Sequence, residues 1–193
     1  MSKEGLVTEV HKPIRKKFPR RKVIVRSLHD LWQADLIEMI PYAKENKRFK
    51  YILITINVFS KQVYVKPLKT KTGKDVTQAM KEILESVTIK PKNLQADQGS
   101  EFYNTNFSEL MKTYSINFYS VFSTKKACVV ERVIRTIKTN LWKQFSLQGT
   151  YEWLNVINSI FDKYIHTTHK TIGMRPVDVT VANESLGKND LMP

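Results

Sequence analysis

The sequence has little of several things that other protein classes need. It contains one cysteine, Cys128, so no disulfide can form within the chain, and a reducing compartment is indicated. No stretch reaches the roughly 18 consecutive apolar residues of a membrane span. The first ten residues hold no apolar segment like that of a secretory signal. Glycine-rich phosphate loops and nucleophile-elbow motifs are also missing. We therefore expect no membrane partner.

Acidic residues are scarce as well, with 18 against 32 lysines and arginines and a net charge of +14. Half of this excess, +7, lies in residues 1–26, where Pro13 and Pro19 interrupt a run of like charges. Repulsion and proline both oppose a helix, so we predict an extended basic arm over 1–27. Such an arm indicates a nucleic-acid partner and can act as a nuclear-import signal. A basic protein without that partner, or a membrane-surface tail, is the alternative.

The rest of the composition is globular, with 41% hydrophobic residues, and suits one domain of about 150 residues. Hydrophobic periodicity predicts nine elements in the order β-β-β-α-β-α-β-α-α. The predicted strands are 31–39, 51–59, 62–68, 94–97 and 116–121. The predicted helices lie between Gly73 and Pro91 and over 102–112, 126–145 and 151–168. The order predicts an α/β core over 28–180, a mixed five-stranded sheet with flanking helices, followed by a frayed tail over 181–193.

Three acidic residues stand at unusual places in this pattern. Asp35 lies inside a predicted strand, where aspartate is disfavoured. Asp97 ends another strand, where ligand sites gather in α/β sheets, and Glu131 borders the apolar stripe of a helix. Each alone has an ordinary interpretation, as an outward-facing residue, a turn residue and half of a surface ion pair, respectively. Together they predict a carboxylate site for hard cations such as Mg²⁺.

The histidines and the cysteine do not have the spacing of a zinc finger. His166 and His169 lie three residues apart on a predicted helix, so they could share a metal ion. We prefer to interpret them as ordinary polar residues of a helix face.

Five longer motifs occur in the sequence: WQADL, INVFSK, ADQGSEF, VVERVIRTIK and HTTHKTIGMRP. Over about residues 28–180 they resemble the catalytic cores of retroviral-type integrases, and most closely the integrases of Maverick/Polinton-type DNA transposons. The resemblance implies an RNase H-like fold. It also implies that Asp35, Asp97 and Glu131 form a catalytic triad that binds two Mg²⁺ or Mn²⁺ ions.

The same resemblance implies a reaction and its partners. A polynucleotidyl transferase of this type processes a DNA 3′ end with water and then joins its 3′-OH to target DNA. Its partners would be transposon ends, target DNA and further copies of the chain, as a homodimer or larger homo-oligomer, in the nucleus after cytoplasmic synthesis. Lys138 matches a DNA-contacting position. We expect Arg132, Arg135, Lys125 and Lys126 to bind DNA around the acidic site. The alternative is a catalytically weak or inactive transposon-derived module that binds DNA or dimerises.

The sequence departs from the family in three respects. Asn57 replaces an aspartate that is common outside the triad, and the 33 residues between Asp97 and Glu131 are slightly fewer than usual. The shortage falls in 122–127, where the family has its active-site loop. The family's N-terminal zinc-binding module and C-terminal small β-barrel have no counterpart in the sequence. These differences concern DNA handling and complete end joining rather than the triad.

Overall fold

The computed structural model describes residues 2–10, 23–120 and 128–184 of the chain. Within them the nine elements follow the predicted order, preceded by one further helix. The strands are β1 (Leu31–Glu38), β2 (Tyr51–Asn57), β3 (Val63–Leu68), β4 (Asn93–Gln95) and β5 (Asn117–Tyr119). The helices are α1 (Lys3–Val10), α2 (Gly73–Ser86), α3 (Thr105–Thr113), α4 (Cys128–Gln148) and α5 (Ile157–Ile165). None of these helices is both long and apolar enough to cross a membrane.

The five strands form one mixed sheet in the order β3-β2-β1-β4-β5. β1 and β3 each pair antiparallel with β2, as expected for three strands without intervening helices. β4 pairs parallel with both β1 and β5. A parallel pair needs a crossover connection, and α2 and α3 lie in the connections that lead to β4 and β5. The predicted α/β architecture is therefore confirmed.

Alternation along the strands sends side chains to two faces of the sheet. The first, which we call the α2/α3 face, holds Trp32, Ala34 and Leu94 in one apolar cluster with residues of α2 and α3. The second, the α4/α5 face, holds Ile37 and Ile54 in a cluster with residues of α4 and α5. Every residue of β2 is buried, which confirms that its continuous apolar run is a strand covered on both faces.

The last helix is shorter than the predicted range 151–168, because the segment before it is bound elsewhere. The buried side chain of Asn46 accepts hydrogen bonds from the backbone N–H groups of Trp153 (2.7 Å) and Leu154 (2.9 Å). Its amide also donates to the carbonyl oxygen of Tyr151 (2.9 Å). These bonds tie the segment to the loop after β1, so α5 begins only at Ile157.

We predicted an extended arm over residues 1–27, but part of this arm is helical. Residues Lys3–Val10 form α1, and the Lys3 ammonium donates to the carbonyl oxygen of Leu147 (2.8 Å) in the last turn of α4. A cation is favourable at a helix C-terminus, and both prolines come later in the chain. Val25 is also buried, in a small cluster at the start of β1. Residues 11–22, which hold most of the arm's positive charge, lie outside the described residues.

The predicted frayed tail also contains ordered residues. Val181–Asn183 form a short 3-10 helix, and the Glu184 carboxylate accepts a hydrogen bond from the backbone N–H of Leu28 (2.6 Å). Part of the predicted tail therefore packs beside the start of the core. Residues 185–193 lie outside the described part, and the domain boundaries at 27 and 180 remain predictions.

Candidate functional site

Asp35 lies in β1, and Asp97 lies just beyond the end of the neighbouring parallel strand β4. The register pairs Gln33 of β1 with Gln95 of β4, and each aspartate follows its glutamine by two residues. Residues two apart point to the same side, so both aspartates belong to the α4/α5 face. Asp35 is half-buried and its Oδ1 accepts the backbone N–H of Leu36 (2.7 Å). Asp97 is exposed just beyond the end of β4.

Glu131 lies in the first turn of α4, the helix that covers this same face. Val130 and Val133 are buried on its inner side, in the cluster that contains Ile54, the cross-strand partner of Asp35. Glu131 is half-buried beside them. The fold therefore brings the three predicted carboxylates to one face of the sheet, from two adjacent strands and the helix above them.

The three carboxylates lie on one face of the sheet, but they do not form a close cluster. Within residues 2–10, 23–120 and 128–184, no three His, Cys, Asp or Glu side chains lie close enough to hold one metal ion. Neighbouring carboxylates repel each other, and an opposite charge removes that repulsion. The donor set fits Mg²⁺ or Mn²⁺ in chemical type, because these ions prefer carboxylate oxygens. Asp35, Asp97 and Glu131 are the side chains that would hold them.

The part of the chain that forms the five strands matches a known domain. Residues 27–121 match the integrase core domain. The matched range includes Asp35 and Asp97 and ends before Glu131, whose role rests on the VVERVIRTIK motif and on the position of α4.

Relatives and solved structures agree with the integrase match. A transposon-derived protein of Caenorhabditis elegans is 31% identical over 141 residues, which are 73% of this chain and 49% of that protein. The chain thus spans about half the length of this relative. A chain of the simian T-cell lymphotropic virus intasome, solved in complex with PP2A regulatory subunit B56 gamma, gives a TM-score of 0.70 at 17% identity, over 88% of this chain and 61% of that chain.

The HTLV-2 integrase catalytic core domain, solved in complex with magnesium in a dimeric form, gives a TM-score of 0.63 at 21% identity. The alignment covers 78% of this chain and 94% of that chain. The protein therefore has the RNase H-like fold of retroviral integrase catalytic cores, as the sequence motifs implied.

The cations that we expected to bind DNA along α4 are exposed. Arg132, Arg135 and Lys138 all lie on the solvent side of the helix that carries Glu131. Within the described residues, none of the three forms a salt bridge. Their charge is therefore not offset by a neighbouring acidic side chain in this part of the chain. Lys125 and Lys126 lie outside the described residues, so their expected role stays a prediction.

A second group of basic residues lies near the start of α4, and its role was not predicted from the sequence. Lys61 has a left-handed backbone (φ 63°) in the turn after β2. The Asn57 side chain holds this turn by accepting the N–H groups of Phe59 (3.0 Å) and Ser60 (3.2 Å). Asn57 thus has a structural role outside the triad. Burial, together with the charge of Arg132, lowers the pKa of Lys61 to about 8.

His169 belongs to this cationic group rather than to a metal site with His166. Burial first, and then the charge of Lys61, lower the pKa of His169 to about 4. Its Nδ1 accepts the backbone N–H of Thr171 (3.2 Å), which fits a neutral ring. His166 lies instead at the end of α5, with its Nδ1 3.2 Å from the Asp162 carboxylate. The two imidazoles therefore have separate partners, but the predicted helix ends at Ile165, so neither is a residue of a helix face.

Gln33 and Gln95 were not among the predicted site residues, although a repeated tripeptide marks both positions. The tripeptide Gln-Ala-Asp occurs twice, at 33–35 and at 95–97. The structure places the two copies side by side in register. A buried glutamine two residues before each candidate catalytic aspartate is a repeated feature that the sequence alone could have indicated.

Proposed function

We propose that this chain is the catalytic core of a metal-dependent polynucleotidyl transferase of the transposon-integrase type, which processes DNA 3′ ends and joins them to target DNA. The observation that carries the proposal is the pairing of Gln33 with Gln95, two residues before Asp35 and Asp97, on the sheet face covered by the helix that carries Glu131. The transposon-derived relative supports a transposon origin. We further propose that, among transposon integrases, the chain is most similar to those of the Maverick/Polinton type.

The three carboxylates have different surroundings, and these suggest different contributions. Asp35 is half-buried in a central strand, so its position is the most rigid of the three. Asp97 is exposed beyond the end of β4, where a DNA strand can approach it. Glu131 is carried by a helix and can move with it. Divalent ions held by these groups would supply Lewis acidity and offset the charge of the reacting phosphate.

DNA is the proposed partner of the exposed α4 surface. Lys138, Arg135 and Arg132 would contact the phosphate backbone, since cations along one helix face supply sequence-independent affinity. Transposon ends and target DNA are the proposed substrates. A homodimer or larger homo-oligomer is proposed because one related integrase core was solved in a dimeric form. The basic arm supports a nuclear location, through its resemblance to an import signal.

The experiment that tests the proposal measures Mg²⁺- and Mn²⁺-dependent nicking of a DNA duplex by the full chain. Asp97→Asn removes the charge of one proposed ligand with almost no change in shape, and we expect it to abolish nicking while DNA binding remains. Asp162→Asn is the matched control, because Asp162 is an exposed aspartate on α5 and is not among the proposed ligands. Equal nicking by Asp97→Asn and the wild type would refute the assigned site.

A catalytically inactive DNA-binding or dimerising module is the second candidate. The observation that favours it is the absence, within the described residues, of three metal-ligating side chains close enough to share an ion. The same assay separates the two functions. An inactive module binds DNA with a strong salt dependence, shows no metal-dependent nicking, and loses nothing when Asp97 becomes asparagine.

A further inference from the structure

The two Gln-Ala-Asp copies are joined by a direct hydrogen bond between their glutamines. The Nε2 of Gln33 donates to the Oε1 of Gln95 at 2.9 Å. Gln33 is 1% exposed and Gln95 is 7% exposed. Buried amides are uncommon and need partners for their polar atoms. The bond crosses from β1 to β4, two residues before the aspartate on each strand.

The same side chain also binds the start of α4. The Oε1 of Gln33 accepts the backbone N–H groups of Val129 and Val130, each at 3.0 Å. The first N–H groups of a helix have no partner within the helix, and here a residue almost 100 positions earlier supplies one. Glu131 is the next residue after Val130. One amide therefore touches all three elements that carry the candidate carboxylates.

We propose that Gln33 and Gln95 form a positioning pair that sets the start of α4, and with it Glu131, relative to Asp35 and Asp97. This inference rests on the proposed function and deepens it. A glutamine suits the position because one amide can donate to β4 and accept from α4 at once. It does so without charge, so it adds no repulsion beside the carboxylates. An apolar residue at 33 would leave two helix N–H groups and the Gln95 oxygen without their partner.

The chain offers a matched control in Asn46, another buried amide that accepts two backbone N–H groups. Asn46 is also 1% exposed, and it binds Trp153 and Leu154 ahead of α5 rather than the start of α4. Gln33→Met and Asn46→Leu each replace an amide with an apolar side chain of similar shape. Both variants should lose thermal stability. Only the first should disturb the candidate site.

The first measurement is amide hydrogen exchange in the full-length chain, which needs no enzymatic activity. In Gln33→Met, the amides of Val129, Val130 and Glu131 should lose protection, and in Asn46→Leu they should keep it. Gln33→Glu retains an acceptor for the helix N–H groups and should restore protection. Unchanged protection in Gln33→Met would overturn the positioning pair, whatever the protein's function.

The second measurement is nicking at a temperature where all variants are folded. Gln33→Met should lower kcat on the order of 10- to 100-fold, as expected when a catalytic group is misplaced by about 1 Å. It should also raise the Mg²⁺ concentration for half-maximal rate, with KM for DNA unchanged. Wild-type kcat and Mg²⁺ dependence in a folded Gln33→Met protein would overturn the inference. If the wild type itself does not nick DNA, the proposed function fails, and the exchange measurement still decides whether Gln33 sets the start of α4.

Discussion

The two faces of the sheet are built from the same strands and differ in composition. The α2/α3 face is mainly apolar, from Leu53 in β2 through Trp32 and Ala34 in β1 to Leu94 in β4, and its buried polar residues in β2 are the uncharged Thr55 and Asn57. The α4/α5 face is equally apolar over β2 and β3, but across β1 and β4 it carries two glutamines and then two aspartates. The polar residues form one patch beneath the start of α4.

This difference separates stability from function within one fold. The apolar clusters on the two faces form the core of the domain, and the two glutamines and two aspartates are not among their residues. Burying polar groups opposes folding unless each finds a partner. The two glutamines have such partners in each other and in the start of α4. We therefore expect the α2/α3 face mainly to stabilise the domain and the polar patch mainly to serve the proposed reaction.

The largest expected effect tests this separation directly. Leu53→Ala removes a fully buried side chain from the α2/α3 face and should lower the free energy of unfolding by about 2–5 kcal/mol. Asp35→Asn, on the adjacent strand and the other face, should abolish nicking and leave the free energy of unfolding nearly unchanged. An asparagine keeps the Oδ1 that accepts the Leu36 N–H. Urea denaturation measures both variants, and equal destabilisation by both would contradict the division between the faces.

Most of the fold was predictable because hydrophobic periodicity reports directly on which residues are covered. The all-buried β2 and the stripe of α4 follow from that signal. The start of α5 was not predictable in this way, because Asn46 competes for the N–H groups of Trp153 and Leu154. α1 does not follow from the net charge of residues 1–26, because the helix lies before both prolines and before most of the charge of this arm.

The members of the candidate site remain predictions, and the hydrogen bonds that connect its elements could not be predicted from the sequence. Asp35, Asp97 and Glu131 could be selected from the motifs they belong to. Nothing local to Gln33 indicates a bond to α4, because that bond joins residues 97 positions apart. The group of Lys61 and His169 was missed for the same reason, since only tertiary packing places their charges near one another.

A smaller effect is expected where the comparison extends to the outer surfaces of the helices. Lys138 on α4 and Lys112 on α3 are both exposed lysines on helices, but these helices cover opposite faces. Lys138→Gln should weaken DNA binding and reduce the slope of log K against log salt by about one. Lys112→Gln should leave both unchanged. DNA binding measured over a salt series checks this, and equal slopes for the two variants would remove α4 from the DNA interface.

The smallest expected effect concerns the cationic group near the start of α4. The pKa of His169 is about 4 in the folded protein, below its ordinary value of 6.5. Between these two pH values the unfolded chain binds a proton that the folded protein does not, so His169 lowers stability as pH falls from 6.5 to 4. The imidazole is only half-buried, so solvent screening makes this effect small.

His169→Gln removes that proton uptake and loses some packing against Tyr164, whose ring centroid is 6.5 Å from that of the imidazole. We therefore expect the variant to be less stable than the wild type at pH 7 and to recover part of this difference as pH falls to 4. His166→Gln is the control, because His166 is exposed at the end of α5 and is not part of this cationic group. Denaturation at a series of pH values provides the measurement. A constant difference between His169→Gln and the wild type would mean that His169 takes up its proton as readily in the folded protein as in the unfolded chain. The positive charges around Lys61 would then not lower the stability of the folded protein.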